Sequence, residues 1–186
     1  MTLSNHYYSW GIPPAFWPLM EKRPQQEQDV LSKCKDWMVG DKPFCILSGD
    51  NGTGKTTLAC HMLKSWMQAQ YAKKPQKAPE SRFVKQGMMY HQWLDEMRSG
   101  SVYGLLQRYF EPDLLVLDDM GVKVPTEGFR EWLISLIDRR MDYCQRTIIT
   151  TNLNAKAMKE AYGETMVSRI LVGTQIKLIG GDRRRD

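Results

Sequence analysis

The chain has 186 residues, 42% of them hydrophobic and 25% charged, with a formal net charge of +5. That length suits one domain with a sizeable core, and no apolar run approaches the roughly 20 residues of a membrane span. The start, Met1-Thr2-Leu3-Ser4-Asn5-His6, has no basic n-region and no apolar h-region, which argues against a secretory signal.

Four cysteines (Cys34, Cys45, Cys60, Cys144) lie far apart without a C-x-x-C pair. They read as reduced thiols of a cytoplasmic protein, neither a disulfide frame nor a zinc site. The mild positive charge permits contact with nucleic acid without requiring it.

Residues 1–40 read as an extended segment and a short helix ahead of a main domain over 41–186. Gly11-Ile12-Pro13-Pro14-Ala15-Phe16-Trp17-Pro18 is extended or turning, because Pro fixes φ and disfavours helix in the residue before it. Phe16, Trp17 and Leu19 call for burial against the core. From 27 to 39 the apolar Val30, Leu31, Cys34, Trp37 and Met38 recur at helical spacing, and Gly40 stops the helix. A short apolar run at 44–48 is suited to a buried parallel strand. A helix over 57–71 follows, with Leu58, Met62, Trp66 and Ala69 on its core-facing stripe, and then a Pro-containing loop. A second strand is predicted over 82–89, a helix over 90–98, and a short helix capped by Ser101 and ending at Tyr109.

Leu114-Leu115-Val116-Leu117-Asp118-Asp119 is the clearest buried strand. A loop over 121–125 precedes an amphipathic helix carrying Phe129, Trp132, Leu133, Leu136 and Ile137. The β-branched run 146–151 is a fourth strand. Asn154 caps a helix to Tyr162, Gly163-Glu164 starts another that contains Arg169, and 174–179 is a fifth strand. Strands alternating with helices predict an α/β fold: a five-stranded parallel sheet with helices on both faces.

One stretch carries specific chemistry. Gly49-Asp50-Asn51-Gly52-Thr53-Gly54-Lys55-Thr56 has the spacing of a phosphate-cradling P-loop, between a predicted strand and a predicted helix. Glycines permit positive φ, so backbone N–H groups can turn inward around an anion at the N-terminus of the following helix. Lys55 would reach the β- and γ-phosphates of ATP, the Thr56 hydroxyl would hold Mg²⁺, and Thr57 completes the nucleotide-binding set.

Phosphoryl transfer to water further needs a metal ligand, a positioned water and positive charge on the phosphate. Asp118-Asp119, at the tip of a buried strand, has the Walker B arrangement, with Asp118 for Mg²⁺ and Asp119 for the attacking water. Asn152 closes the fourth strand, where its amide can contact both the γ-phosphate and the attacking water or serve as a turn or cap residue. Arg169 is a candidate arginine finger or a surface ion pair. Arg139, Arg140 and Arg185 compete for any basic role.

The residues from about 40 onward resemble the DnaC/IstB branch of AAA+ (ASCE) ATPases, close to the DnaA initiator clade. Four stretches carry the resemblance: 49–56, 112–121, 147–153 and 163–169. Gly11-Ile12-Pro13-Pro14 is also similar to the family's lead-in segment. The resemblance implies that Asn152 is sensor 1, that Arg169 completes a neighbouring subunit's site, and that the protein assembles into a ring or filament. Gly181-Asp182-Arg183-Arg184-Arg185 is similar to the family's Gly-x-Ser-Tyr-Arg, which makes Arg185 sensor-2-like although Ser and Tyr are absent. The segment 88–110 falls where the clade carries helices that touch DNA or partners, with Lys85, Arg98, Arg108 and Lys123 as candidate phosphate contacts.

No large helicase-binding domain and no C-terminal lid are expected, so the chain reads as a near-bare core. The implied role is loading or remodelling a replicative helicase on single-stranded DNA. An IstB-like partner of a transposase on duplex DNA, and a nucleotide-dependent scaffold or helicase inhibitor, stay as alternatives. A small-molecule kinase fits poorly, since the Asp118-Asp119 and Asn152 combination suits water activation.

Overall fold

Five strands, β1 (Phe44–Ser48), β2 (Ser81–Lys85), β3 (Leu114–Met120), β4 (Arg146–Thr151) and β5 (Thr174–Lys177), form one sheet in the order β2-β3-β4-β1-β5. Every pairing is parallel. The computed structural model describes residues 3–73, 76, 79–100, 102–122 and 124–181. Its helices are α1 (Leu3–Ser9), the one-turn α2 (Trp17–Met20), α3 (Gln28–Val39), α4 (Lys55–Lys73), α5 (Gln86–Ser99), α6 (Val102–Phe110), α7 (Glu127–Asp142), α8 (Ala155–Tyr162) and α9 (Glu164–Leu171). A 3₁₀ turn (Pro14–Phe16) precedes α2.

The pleat explains why the first four residues of β1 and of β3 are apolar without alternation. Successive side chains point to opposite faces, so a strand covered on both sides needs apolar residues at every position. Phe44, Ile46, Leu115, Leu117 and Ile149 join α5 to α9 on one face. Cys45, Leu47, Leu114, Val116 and Ile148 join α3, α4 and the N-terminal residues on the other. Tyr7, Trp10, Ile12 and Met20 are buried in that second layer, so residues 7–20 are part of the core packing.

Cys34, Cys45 and Cys60 are buried free thiols, and burial pushes the Cys34 thiol up to about 12. Among the described residues, no helix is long and apolar enough to cross a membrane.

Some elements differ from expectation. The second strand stops at Lys85 and Gln86–Ser99 is helix. Gln86, Met89 and Trp93 are all buried at helical spacing, so the period read from 90 onward continues back through Gln86. Ala69 is exposed. A 19-residue helix outruns five-residue strands, and its last turns leave the sheet behind. Residues 3–9 are helical, and β5 ends two residues early. Phe16 and Trp17 pack against the second layer, whereas Leu19 remains 36% exposed. The expected cap Ser101 lies outside the described residues.

Strand order positions the site. β1 leads by α4 to β2 at one edge, while β4 leads by α8 and α9 to β5 at the other. The carboxyl end of β1 is therefore a topological switch point, where an open parallel sheet forms a crevice.

Candidate nucleotide site

The loop at that crevice is shaped by its glycines. Gly49 has φ 148° and Gly52 φ 81°, in the region L side chains avoid. A Cβ on Gly49 would lie 2.3 Å from the Leu178 carbonyl oxygen, so the residue after β5 and the loop touch directly. Thr53 Oγ1 donates to the Asp50 carbonyl at 2.8 Å and closes the turn. Lys55 opens α4 and is buried. Its Nζ donates to the carbonyls of Gly49 (2.8 Å) and Asp50 (2.7 Å), at the rim of the loop. A cleft of about 340 Å³ is lined by Asn51, Gly52, Lys55, Thr56, Thr57 and Asp119, with Phe16, Leu19 and Lys85 at its margin.

Asp118 is fully buried at the end of β3. Its Oδ1 accepts hydrogen bonds from Thr56 Oγ1 at 2.8 Å and Thr150 Oγ1 at 2.7 Å. Its Oδ2 is buried without a hydrogen-bond partner. Burial raises the pKa of this carboxyl, the two hydroxyls oppose that, and neighbouring Asp119 adds to it. A buried oxygen left without a partner is costly, which makes it a ready acceptor for a cation. One carboxylate beside one hydroxyl, next to a phosphate loop, fits Mg²⁺, which typically takes one or two protein ligands along with phosphate and water.

Asp119 has φ 59°, left-handed for a residue with a side chain. The β3–β4 register shifts between Leu117 and Met120, so the carboxylate sits on a bulge that aims it away from its neighbours' faces. Its N–H donates to Thr150 Oγ1 at 3.0 Å, and its Oδ2 lies 3.3 Å from Lys85 Nζ. Lys85 closes β2, paired in register with Asp118. Lys85, a candidate nucleic-acid contact by sequence, lines the cleft. The signal that could have found it is positional: the carboxyl ends of parallel strands converge on one crevice.

Asn152 is exposed and directly follows Thr151, which pairs with Ser48. That register sets Asn152 level with Gly49, one strand over from the loop. Arg169 lies elsewhere. Its Nε is 2.7 Å from Asp138 Oδ1 on α7, and both side chains are about one-third exposed (33% and 32%). Arg169 is near the end of α9, and the turn after that helix packs Gly173 onto Phe44, the first residue of β1. The loop leaves the opposite end of β1, so Arg169 is remote from its own chain's P-loop.

Of the other basic candidates, Arg140 is fully buried and donates to backbone carbonyls, and Arg139 stacks on Phe110 with its guanidinium 4.4 Å from the ring centre. Arg98 and Arg108 pair with Asp95 (3.7 Å) and Glu96 (3.6 Å). Lys123 and Arg183, Arg184 and Arg185 lie outside the described residues.

A family model described as IstB-like ATP binding protein matches residues 21–182. The protein YdaV of Escherichia coli K12 is 31% identical over 157 residues, covering 76% of this chain and 55% of YdaV. The replicative helicase loader DnaC of Escherichia coli K12 is 26% identical over 163 residues, covering 82% of this chain and 61% of DnaC. The chain thus spans less than two-thirds of either relative.

Among solved structures, the DnaC helicase loader superposes with a TM-score of 0.73 at 23% identity, covering 90% of this chain and 100% of that one. Domain III of the Thermotoga maritima replication initiation protein DnaA gives 0.66 at 18% identity, covering 96% and 68%. These structural likenesses establish an AAA+ P-loop NTPase fold. With a loop, a metal-competent carboxylate and a matching family model over most of its length, the chain belongs to the IstB-like ATP-binding protein family.

Proposed function

We propose that the chain hydrolyses ATP to ADP and phosphate in a site shared between subunits, and uses that cycle to load or remodel a replicative helicase on single-stranded DNA. The observation that carries the hydrolytic part is the Asp118 oxygen buried without a partner, on the carboxylate whose other oxygen accepts from the Thr56 hydroxyl. The nucleotide set is Gly49, Asp50, Asn51, Gly52, Thr53, Gly54, Lys55, Thr56 and Thr57, with Arg185 as a further contact.

In this reading the loop N–H groups and the N-terminus of α4 receive phosphate oxygens, and Lys55 exchanges its carbonyl acceptors for phosphate. Thr56 and Asp118 hold Mg²⁺, which supplies positive charge against the charge developing on the phosphates. Asp119 orients the attacking water and draws its proton, while Asn152 fixes the water and the terminal phosphate from β4. Arg169 serves the next subunit, an assignment supported by its distance from its own loop. A trans arginine is worth about 10³–10⁵ in rate, so isolated monomers hydrolyse slowly.

The helicase reading draws support from similarity to DnaC, itself named a replicative helicase loader. The family model, named for IstB, favours a second reading: a transposase partner on duplex DNA. ATPase rates at assembling concentrations, with single-stranded DNA, duplex or neither, separate these. Stimulation by single strands is expected. Stimulation by duplex alone selects the second reading, and a rate unchanged by either overturns both DNA roles. Lys55→Ala should abolish nucleotide binding in all three arms.

A further inference from the structure

Gln86 is the first residue of α5 and only 3% exposed, an unusual place for an amide side chain. Its Oε1 accepts two hydrogen bonds from separate elements. One comes from the Gly121 N–H at 3.0 Å, the other from the Tyr162 hydroxyl at 2.7 Å, at the end of α8. Tyr162 is fully buried, and burial raises its hydroxyl pKa, so it stays a proton donor at neutral pH.

Gly121 is the third residue of the turn that begins at Asp119 and closes at Val122, whose N–H reaches the Asp119 carbonyl at 3.4 Å. The bulge has taken this turn out of the regular β3–β4 ladder. Side chains then pin it: Thr150 at the Asp119 N–H, Thr151 Oγ1 at the Met120 carbonyl (2.7 Å), and Gln86 at the Gly121 N–H. A left-handed Asp persists only where its surroundings over-determine it. Thr150 and Thr151 belong to β4, so Gln86, with Tyr162 behind it, fixes the far end of the turn.

We infer that Gln86 and Tyr162 form a positioning pair for hydrolysis, acting through Asp119 by holding the turn that aims its carboxylate into the cleft. The inference rests on the hydrolytic reading above and goes beyond it, because neither residue lines the cleft. An Asp119 released from its left-handed conformation loses its aim at the water, while the phosphate loop, closed by its own Thr53–Asp50 and Lys55 hydrogen bonds, keeps its shape.

The test is steady-state ATP hydrolysis and nucleotide Kd for Gln86→Leu, Tyr162→Phe, Asp119→Asn and the double variant Gln86→Leu/Asp119→Asn, in the assembled protein. Gln86→Leu should lower kcat about tenfold or more with KM and Kd within about twofold, since sub-ångström aim governs rate more than affinity. Tyr162→Phe should lower kcat in the same direction by about threefold. In the Asp119→Asn background, Gln86→Leu should cost nothing further, because a residue acting through Asp119 has nothing left to position.

A kcat for Gln86→Leu within twofold of the unsubstituted chain, or a further tenfold loss in the double variant, overturns the pairing and leaves the hydrolytic reading intact. Should Gln86→Leu fail to fold, Tyr162→Phe decides, and an unchanged kcat there overturns the inference. An unsubstituted chain that binds ATP and never hydrolyses it, even assembled, overturns the hydrolytic reading and this one together.

Discussion

Arg140 shows how a charge can serve the fold alone. Its guanidinium donates to the carbonyls of Tyr109 (2.9 Å), Phe110 (2.9 Å), Pro112 (3.0 Å) and Arg146 (2.5 Å) and to Thr147 Oγ1 (2.8 Å). Burial pulls its pKa down to about 9, which still leaves it charged at neutral pH. Arg140→Met would strand those acceptors in the interior, so urea unfolding should show a loss of about 3–5 kcal/mol. Arg140→Lys should recover only part of it, because an ammonium lacks the fork that reaches several carbonyls at once. The Lys85–Asp119 pair makes the contrast. Both side chains are roughly half-exposed (55% and 41%), so Lys85→Gln should change stability by less than about 1 kcal/mol in the same assay.

At the scale of elements, glycines separate tolerated from forbidden backbone approach. A Cβ on Gly173 would sit 2.4 Å from the Phe44 carbonyl oxygen and 2.7 Å from its Cβ, where α9 turns into β5 against β1. Gly173→Ala should therefore cost about 1–3 kcal/mol or more by thermal unfolding. Gly87 lies within α5 with open space around it, and Gly87→Ala should stabilise by about 0.5–1 kcal/mol.

The same scale shows what was legible in the sequence. β1 and β4 match their predicted limits to the residue, because wholly apolar or β-branched runs bounded by Pro, Gly and Asn have one reading as buried strands. Asn154 caps α8 as expected, its Oδ1 accepting the Ala157 N–H at 2.9 Å. Gln86 and Tyr162 were not legible as neighbours of Asp119. They come from the start of one helix and the end of another, joined by tertiary pairing, and a buried Gln inside an apolar period looks like a surface position. The helix at Leu3–Ser9 is not legible, because Asn-His-Tyr-Tyr-Ser has no strong propensity and its Tyr7 settles into the core through packing.

For the whole molecule, the arrangement divides the chemistry. The loop, Asp118 and Asp119 sit at the carboxyl edge of the sheet, while Arg169 sits toward the opposite end of β1, held by Asp138. A head-to-tail contact between identical subunits can bring one chain's Arg169 to the next chain's phosphates, with ATP in the joint. In the proposed mechanism half of each site belongs to a neighbour. Mixing two variants, Asp119→Asn and Arg169→Ala, tests it most directly. Each alone should bind ATP and hydrolyse almost none. In an equal mixture, about one joint in four pairs an intact Asp119 with an intact Arg169 from its neighbour, so about a quarter of the unsubstituted rate should return. A mixture no faster than its two components, or an Arg169→Ala protein fully active alone, would rule out a shared site.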